Sequence, residues 1–438
     1  MTQPDGVGNL VINEDELSGT SFDLFSIPEK TGDCISGREV EIRLFTTLES
    51  SGPFEFYIPS SNDYTLLPLT RLHGVCQIVH KDGSPVANDV DFSIANLFPH
   101  SLFSQVNLEI DGVNLCNQDN LYPYKAYLET LLTYGHDAKY SHLTTSHFVK
   151  DTAHHLDDLS ENNEGYKKRQ KEVVGSKLMD FCIIPHIDFF HNPRVLPSNV
   201  PMKLKLTRTN DSFSILSNEH SNLCVKIHSL GLYVYRLEPS DMIRRSHELA
   251  FVKKKAFFPF TKSVCKKYTI PLGISTAHQP NIIHGQLPLQ IVIGFLKADA
   301  LNGNYKMNPF NFEHFDCSFL ALRINGVQTP ATGFRPDFSK KLARRELRAM
   351  YDNIGVSSAG GDSGCNLDVE DFTGGYTLFA FDLTVDKCNG YHFHEARTGI
   401  VDLEVVFRKP LEQAITVLCY AAFENVISMT RERNISIF

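Results

Sequence analysis

Apolar and polar residues alternate along much of this 438-residue chain, a pattern that predicts many short β-strands with one buried face. In the stretch REVEIRL, Val40, Ile42 and Leu44 fall on one face and the charged residues fall on the other. The stretches PFEFYIP at 53–59 and MKLKLTR at 202–208 repeat the same period of two. Proline and glycine separate these stretches, which is typical of all-β sandwiches and barrels.

A short hairpin signal occurs twice, at positions 214 residues apart. The first copy is VNLEIDGVN at 106–114, and the second is LALRINGVQ at 320–328. Both central residues of a type I′ turn need a positive φ angle, which Asp-Gly and Asn-Gly pairs tolerate. The sequence therefore predicts two structural turns, one formed by Asp111 and Gly112 and the other by Asn325 and Gly326.

The repetition continues on both sides of the hairpins. Upstream, the same offset relates two pairs of identical residues: Phe98 with Phe312, and His100 with His314. Downstream, each hairpin precedes a predicted helix, at 120–135 and at 336–355. Asn120 and Ser339 are the predicted N-caps of these helices. This order favours a duplicated strand–turn–strand–helix unit, and the alternative is that a common hairpin recurs by chance.

The expected organisation is therefore two sandwiches joined by a short linker. Ser240 is expected to cap a helix over 241–249, because serine is a favoured N-cap residue. The predicted boundaries are an N-terminal arm at 1–37, a first sandwich at 38–237, a helical linker at 238–252 and a second sandwich at 253–438. Two polar stretches, 149–173 and 357–364, are predicted to be solvent-exposed loops.

Composition and charge narrow the function classes. The chain has 51 Asp or Glu and 42 Lys or Arg residues, and its net charge of −9 argues against a surface devoted to nucleic acid. Three basic clusters are predicted to be solvated faces, with contact to packaged DNA as the alternative: 167–169, 253–255 and 340–345. The ten cysteines are never closer than 23 residues, which predicts buried, reduced thiols and no CxxC site.

No secretory signal and no membrane-spanning segment are expected from the sequence. The N-terminal residues are polar and acidic, without the apolar core of a signal peptide. The most apolar runs, at 291–296 and 417–423, are far shorter than the ~20 residues needed to cross a bilayer. These runs are predicted to be buried strands.

Three motifs suggest chemistry, but each has a simpler structural interpretation. GDSG at 361–364 is similar to a serine protease nucleophile loop, and His278 in TAHQ is the candidate base, yet no acid partner is indicated. His392 and His394 would share one face of a strand, as in a cupin metal site, but Glu395 would point away. HHLDD at 154–158 lies in a polar segment. Since P-loop, GxGxxG and HExxH motifs are also missing, the sequence predicts no enzyme, no catalytic or cofactor-binding residue and no metal site.

Several long blocks resemble one known family in the same order along the chain. FPHSLFSQVNLEIDG at 98–112 and LYPYKAYLETLLTYG at 121–135 are similar to the major capsid protein of adintoviruses and of the related Polinton (Maverick) elements. The second half agrees, with GQLPLQIVIGF at 285–295, NGNYKMNPFNFEHF at 302–315, TGGYTLFAFDLT at 373–384 and the block at 405–436. The resemblance covers roughly residues 70–438. It implies an all-β double jelly roll: two eight-stranded antiparallel sandwiches in tandem, with a few short helices.

The resemblance also implies a function. A homotrimer of two-lobed chains would form a pseudo-hexameric capsomer of an icosahedral capsid enclosing double-stranded DNA. The implied partners are neighbouring capsomers, penton and minor capsid proteins and, by non-specific contact, packaged DNA. The implied location is the virion, with assembly in the host nucleus or cytoplasm. The alternatives are a two-domain jelly-roll binding module of lectin or receptor-binding type, a cupin-like metalloenzyme, and a domesticated host copy that no longer assembles.

Overall fold

The structure, a computed structural model, describes residues 32–48, 52–116, 119–218, 222–355, 365–387 and 393–437. Residues 1–31 of the predicted arm lie outside the described residues, as does the whole of the predicted loop at 357–364. The described strands pair in antiparallel sheets, as the alternating pattern predicts.

The first half of the described chain contains ten strands in two four-stranded sheets and one small sheet. The four-stranded sheets have the orders β1-β10-β3-β7 and β2-β8-β5-β6, and β4 pairs with β9. The strands are β1 (Cys34–Arg43), β2 (Phe54–Ile58), β3 (Tyr64–His80), β4 (Phe92–Ile94), β5 (Phe103–Ile110), β6 (Val113–Asn114), β7 (Met179–Ile183), β8 (Met202–Arg208), β9 (Ile215–Ser217) and β10 (Leu223–Pro239).

The second half of the described chain contains nine strands in two sheets. The sheets have the orders β11-β18-β13-β16 and β12-β17-β14-β15, and β19 pairs with β18. The strands are β11 (Ala256–Ile270), β12 (Thr276–Gln286), β13 (Gln290–Lys297), β14 (Cys317–Ile324), β15 (Val327–Phe334), β16 (Leu378–Asp382), β17 (Thr398–Phe407), β18 (Ile415–Met429) and β19 (Ile435–Ile437). The apolar runs at 291–296 and 417–423 lie within β13 and β18, as predicted.

The two halves have the same topology. With β4, β9 and β19 set aside, eight strands remain in each half. In both halves the first, eighth, third and sixth strands form one sheet, and the second, seventh, fourth and fifth form the other. Eight strands in two sheets with these crossovers form a jelly roll, so the predicted double jelly roll is confirmed.

The alternating pattern has the expected effect on burial. In β8, Met202, Leu204 and Leu206 are buried, whereas Lys203 and Lys205 are partly exposed. The apolar residues of β2 and β5 face the same interior, because β8 pairs with both strands. Burial of one face of each strand is therefore what holds the sandwich together.

Short helices connect the strands. They are α1 (Phe98–Ser101), α2 (Tyr122–Thr133), α3 (His136–Lys139), α4 (Glu164–Val173), α5 (Asp211–Ser214), α6 (Asp241–Lys253), α7 (Ala298–Asn302), α8 (Arg344–Asn353) and α9 (Val369–Thr373). Ser240 caps α6 through a hydrogen bond from the Ile243 amide at 3.4 Å, so the predicted cap is confirmed. The helix ends four residues later than the sequence indicates, at Lys253.

The two other predicted N-caps are wrong. Helix α2 begins at Tyr122 with Leu121 at the cap position, and no side chain caps it, so Asn120 does not have this role. Ser339 lies in a separate 3₁₀ turn at Phe338–Lys340, and α8 begins only at Arg344. Pro123 explains why α2 has no side-chain cap. A proline has no amide N–H, so at the second helical position it leaves one donor fewer for a capping side chain.

The repeated hairpin has equivalent positions in the two sandwiches. Strands β5 and β14 begin and end at the same offset of 214 residues, and β6 and β15 begin at that offset. The φ angles of Asp111 and Gly112 are 50° and 73°, and those of Asn325 and Gly326 are 50° and 82°. These pairs connect the fourth and fifth strands of their sandwiches in a left-handed conformation that suits Asn, Asp and Gly.

Two large apolar clusters form the interior, and each contains side chains from both halves of the chain. The cluster of the first sandwich includes five buried residues of the second half: Phe258, Phe260, Ile427, Met429 and Ile435. The cluster of the second sandwich includes residues of the first half, among them Tyr124, Tyr127, Leu131, Phe148 and Phe213. The two sandwiches are therefore fused through shared apolar packing.

Candidate functional site at the junction of the two sandwiches

The segment 149–173 lies between the two sandwiches, and the prediction that it is a solvent-exposed loop is wrong. Five of its larger side chains are buried: Leu156, Leu159, Tyr166, Arg169 and Val173. Its helix α4 is capped by Asn163, whose side chain accepts a hydrogen bond from the Tyr166 amide at 3.2 Å. The segment has few apolar residues, but it buries almost all of those it has.

A buried ion pair forms the centre of this junction. The side chains of Arg169 and Asp151 are both 0% exposed, and the Arg169 Nη2 atom lies 2.7 Å from the Asp151 Oδ1 atom. Arg169 also donates to the carbonyl oxygens of Ile94 at 2.9 Å and Val149 at 2.8 Å. A buried guanidinium and carboxylate are tolerated only when they are paired and hydrogen-bonded, and here both conditions are met.

Asp151 connects this ion pair to the second sandwich. Its Oδ2 atom accepts a hydrogen bond from the side-chain amide of Asn308 at 3.1 Å. Its backbone oxygen accepts a hydrogen bond from the Tyr376 hydroxyl at 2.8 Å. One aspartate of the first half thus contacts two residues that lie on separate segments of the second half.

Further polar contacts surround the buried pair. Lys297 of β13 forms ion pairs with Asp157 at 2.8 Å and with Glu313 at 2.6 Å. Although burial lowers the pKa of Lys297, hydrogen bonds to the two carboxylates raise it overall, so this ammonium stays charged. Lys139 donates to the carbonyl oxygens of Leu131 and Cys365, at 2.9 and 2.6 Å. These contacts again join the first half to the second.

Aromatic stacking contributes to the same junction. The ring of Tyr127, on α2, is stacked on Phe310 with a centroid distance of 4.2 Å and an interplanar angle of 5°. Tyr124 and Phe213 contact Phe310 edge to face, at 5.6 and 6.0 Å. Burial raises the pKa of the Tyr124 and Tyr127 hydroxyls well above the usual range, so these side chains stay neutral.

The arrangement of these contacts is suited to holding the two sandwiches together. Arg169 and Lys297 are paired with carboxylates, Lys139 is hydrogen-bonded to two carbonyl oxygens, and the aromatic rings pack against one another. Such a junction holds the two sandwiches at one relative orientation. This role of Arg169 could not be predicted, because its neighbours Lys167 and Lys168 give the stretch the composition of a solvated basic face.

The motifs considered for chemistry are not brought together by the described structure. His278 is exposed on β12, whereas GDSG at 361–364 lies outside the described residues. His392 also lies outside them. His394 lies in no strand, and its ring nitrogens contact Glu424 at 2.9 Å and Asp386 at 3.1 Å. The HHLDD stretch is part of the junction, where His154 contacts Glu370 at 3.3 Å.

Two predictions about surface and thiol chemistry need correction. Arg169 of the first basic cluster is fully buried, whereas residues 253–255 are exposed, as expected.

The nine cysteines within the described residues are free thiols, but Cys34 is exposed and three others are only partly buried. Burial raises the pKa of Cys76 and Cys419 to about 12, which makes these two thiols unreactive. Cys388 lies outside the described residues.

Within the described part of the chain, every helix is too short or too polar to span a bilayer.

Comparisons with known proteins agree with this fold. No protein-family model matches the chain. An uncharacterised protein of Caenorhabditis elegans, F54H12.2, is 24% identical over 420 residues, which cover 92% of this chain and 98% of the worm protein. A chain of the Sputnik virophage structure superimposes with a TM-score of 0.66 at 11% identity, covering 99% of this chain and 93% of that one.

Two solved capsid proteins show the same similarity. The mavirus major capsid protein gives a TM-score of 0.57 at 11% identity, covering 100% of this chain and 97% of that chain. The Faustovirus major capsid protein gives 0.57 at 9% identity, covering 92% of each chain. At these identities the similarity shows a common fold that extends over both sandwiches and the junction.

Proposed function

We propose that this chain is a structural major capsid protein, three copies of which form a pseudo-hexameric capsomer of an icosahedral shell around double-stranded DNA. The observation that carries the proposal is the pair of sandwiches with one topology, fused through a buried junction. Capsid proteins among the structures with this fold support the proposal.

The geometry explains why duplication suits such a role. A ring of three chains has threefold symmetry, and two similar lobes in each chain give the ring six similar lobes. A six-lobed ring can contact six neighbours in a hexagonal lattice. This works only if the two lobes of one chain keep a fixed orientation, which is what the buried contacts of Asp151 and the stacked ring of Tyr127 provide.

Contacts between copies need apolar surface that a single chain leaves exposed. Helix α6 has no buried residue, and Met242, Leu249 and Val252 are 71%, 70% and 61% exposed. Leu249 and Val252 lie 7 and 10 positions after Met242, so the three side chains fall near one face of the helix. We assign this face to contact with a second copy of the chain.

The finer parts of the proposal come from the resemblance to adintovirus and Polinton (Maverick) capsid proteins. Neighbouring capsomers, penton proteins and minor capsid proteins are the expected partners, and packaged DNA is expected to meet the inner surface without sequence specificity. The virion is the expected location, after assembly in the host nucleus or cytoplasm. The segments 38–237 and 253–438 are the proposed jelly rolls, with 1–37 as an arm and 238–252 as the linker.

The mass of the purified protein in solution tests this proposal. Size-exclusion chromatography with light scattering should give three times the chain mass of 49.4 kDa, and negative-stain images should show a hexagonal outline. A chain that stays monomeric at high concentration would count against the proposal. The binding-module alternative is tested separately by glycan arrays, on which a capsomer without lectin function should show no selective binding.

A further inference from the structure

Glu129 comes together beside the junction with two histidines from a later segment of the chain, His186 and His191. One ligand atom each from Glu129, His186 and His191 lies within 4.8 Å of the others. They border a cavity of about 420 Å³ whose other wall includes Ser263 and Tyr420 of the second sandwich. No motif in the sequence joins these residues, because Glu129 precedes His186 by 57 positions.

The backbone holds the two histidines in place. His186 is buried, and His191 ends a 3₁₀ turn at Asp188–His191 and is exposed. Phe189 and Phe190 in this turn are 1% and 0% exposed, so they anchor it in the apolar core of the first sandwich. Glu129 lies on α2, the helix that also carries Tyr127. Glu129 and His191 are therefore attached to anchored elements, and His186 is held by its own burial.

Both ring nitrogens of His186 have polar partners. Its Nδ1 atom is 2.7 Å from Glu129 Oε2, a direct hydrogen bond, and its Nε2 atom is 3.2 Å from Thr130 Oγ1. An ion about 2.0 Å from both Nδ1 and the carboxylate needs these two atoms about 3.3 Å apart, so it would replace their hydrogen bond and separate them slightly. Metal-bound histidines usually donate the other N–H to an outer partner, and here the Nε2–H would donate to the Thr130 hydroxyl.

Of the two carboxylates near Lys125, that of Glu129 is the more available to a cation. Lys125 lies 2.6 Å from Asp188 and 4.0 Å from Glu129, so Asp188 is its nearer partner. One ammonium and two carboxylates leave a net charge of −1. Glu129 therefore presents its carboxylate to the two histidines, with Oε2 only 2.7 Å from His186 Nδ1.

We propose that Glu129, His186 and His191 bind one divalent transition-metal ion of the zinc class, with water from the cavity completing its coordination. Two imidazoles and one carboxylate are a common ligand set for Zn²⁺. Tetrahedral ligand atoms lie closer together than 4.8 Å, so the exposed His191 side chain moves toward the other two on binding. The ion joins α2 to the turn at Asp188–His191 at the edge of the junction, which makes its role structural. This inference does not depend on the capsid function.

Zinc titration of untagged, EDTA-treated full-length protein tests the proposal. Isothermal calorimetry with ZnCl₂ should show one ion per chain at this site, and His191→Ala should weaken its binding about 10-fold or more. His191 is exposed, so this variant should fold normally, which circular dichroism checks. His142→Ala is the matched control, since His142 is also exposed but is not one of the three ligands, and its zinc affinity should equal that of the parent protein.

A second measurement distinguishes a built site from loose surface binding. Co²⁺ in place of Zn²⁺ should give the visible absorption bands of a tetrahedral site, and Glu129→Gln should remove them. Zinc at 100 times the Kd of the parent protein should raise the Tm of the parent by roughly 3 °C and that of His191→Ala by about half as much or less. Equal zinc affinity of the parent protein, His191→Ala and His142→Ala would overturn the proposal, as would the absence of tetrahedral Co²⁺ bands.

Discussion

Replacement of Arg169 by methionine tests whether the buried junction holds the two sandwiches together. Methionine fills much of the same volume, but it removes the partner of Asp151, whose side chain is 0% exposed. Removing one member of a buried ion pair typically costs about 3–5 kcal/mol, because the other charge stays buried without compensation. The carbonyl oxygens of Ile94 and Val149 also lose their guanidinium donors, so we expect a value in the upper part of this range.

Guanidinium denaturation and calorimetry measure this loss. For a unit of this size, a loss of about 3–5 kcal/mol lowers the Tm by roughly 3–6 °C. The parent protein should unfold in one transition, because the two apolar clusters share residues of both halves. Arg169→Met should broaden or split this transition, since the contacts of Asp151 with Asn308 and Tyr376 depend on the position of the carboxylate.

Arg348→Met is the matched control for this experiment. Arg348 forms an ion pair with Asp352 at 3.0 Å on the surface of α8, and its side chain is 67% exposed. An exposed pair of this kind contributes only about 0.3–0.5 kcal/mol, so the control should unfold almost like the parent protein. The reasoning would be refuted if Arg169→Met lost less than about 1 kcal/mol, or if both variants lost the same amount.

Three further predictions concern a turn, a surface histidine and the exposed face of α6. Gly112→Val should cost about 1–2 kcal/mol, measured by denaturation, because its φ of 73° is unfavourable for a β-branched residue; no loss would contradict a left-handed turn. Hydrogen bonds to two carboxylates raise the pKa of His394, so its contribution to stability is full below pH ~6.5 and is lost as pH rises through the higher folded pKa. His394→Gln should remove this pH dependence, and an unchanged stability–pH profile of the variant would contradict the prediction. The double variant Met242→Asp and Leu249→Asp should reduce assembly in light scattering without lowering Tm, because neither side chain is buried within the chain; undiminished assembly would exclude this face as the contact.

The sequence predicted the sandwiches well, because the information for a half-buried strand is local. In β8, for example, alternation of apolar residues and lysines specifies which face is buried without reference to any other part of the chain. The Ser240 cap of α6 was predictable for the same reason, since its hydrogen bond spans three residues. Equivalent hairpins at one offset then indicated that the sandwich occurs twice.

The junction could not be predicted, because its partners are distant in sequence. Asp151 and Asn308 are 157 positions apart, and Asp151 and Tyr376 are 225 positions apart. A mixed-charge stretch such as 149–173 has the composition of an exposed loop, and burial of Arg169 becomes evident only when its acceptors are in place. The proposed ligand set of Glu129, His186 and His191 could not be identified from the sequence for the same reason, because Glu129 lies 57 positions before His186.

A cryo-EM map of the purified protein would show whether two fused jelly rolls of one topology let three chains form a six-lobed ring. We expect a trimer with a hexagonal outline, in which the two lobes of each chain keep the orientation set by the contacts of Asp151. A monomeric particle, or lobes that take variable orientations relative to each other, would rule out such a ring.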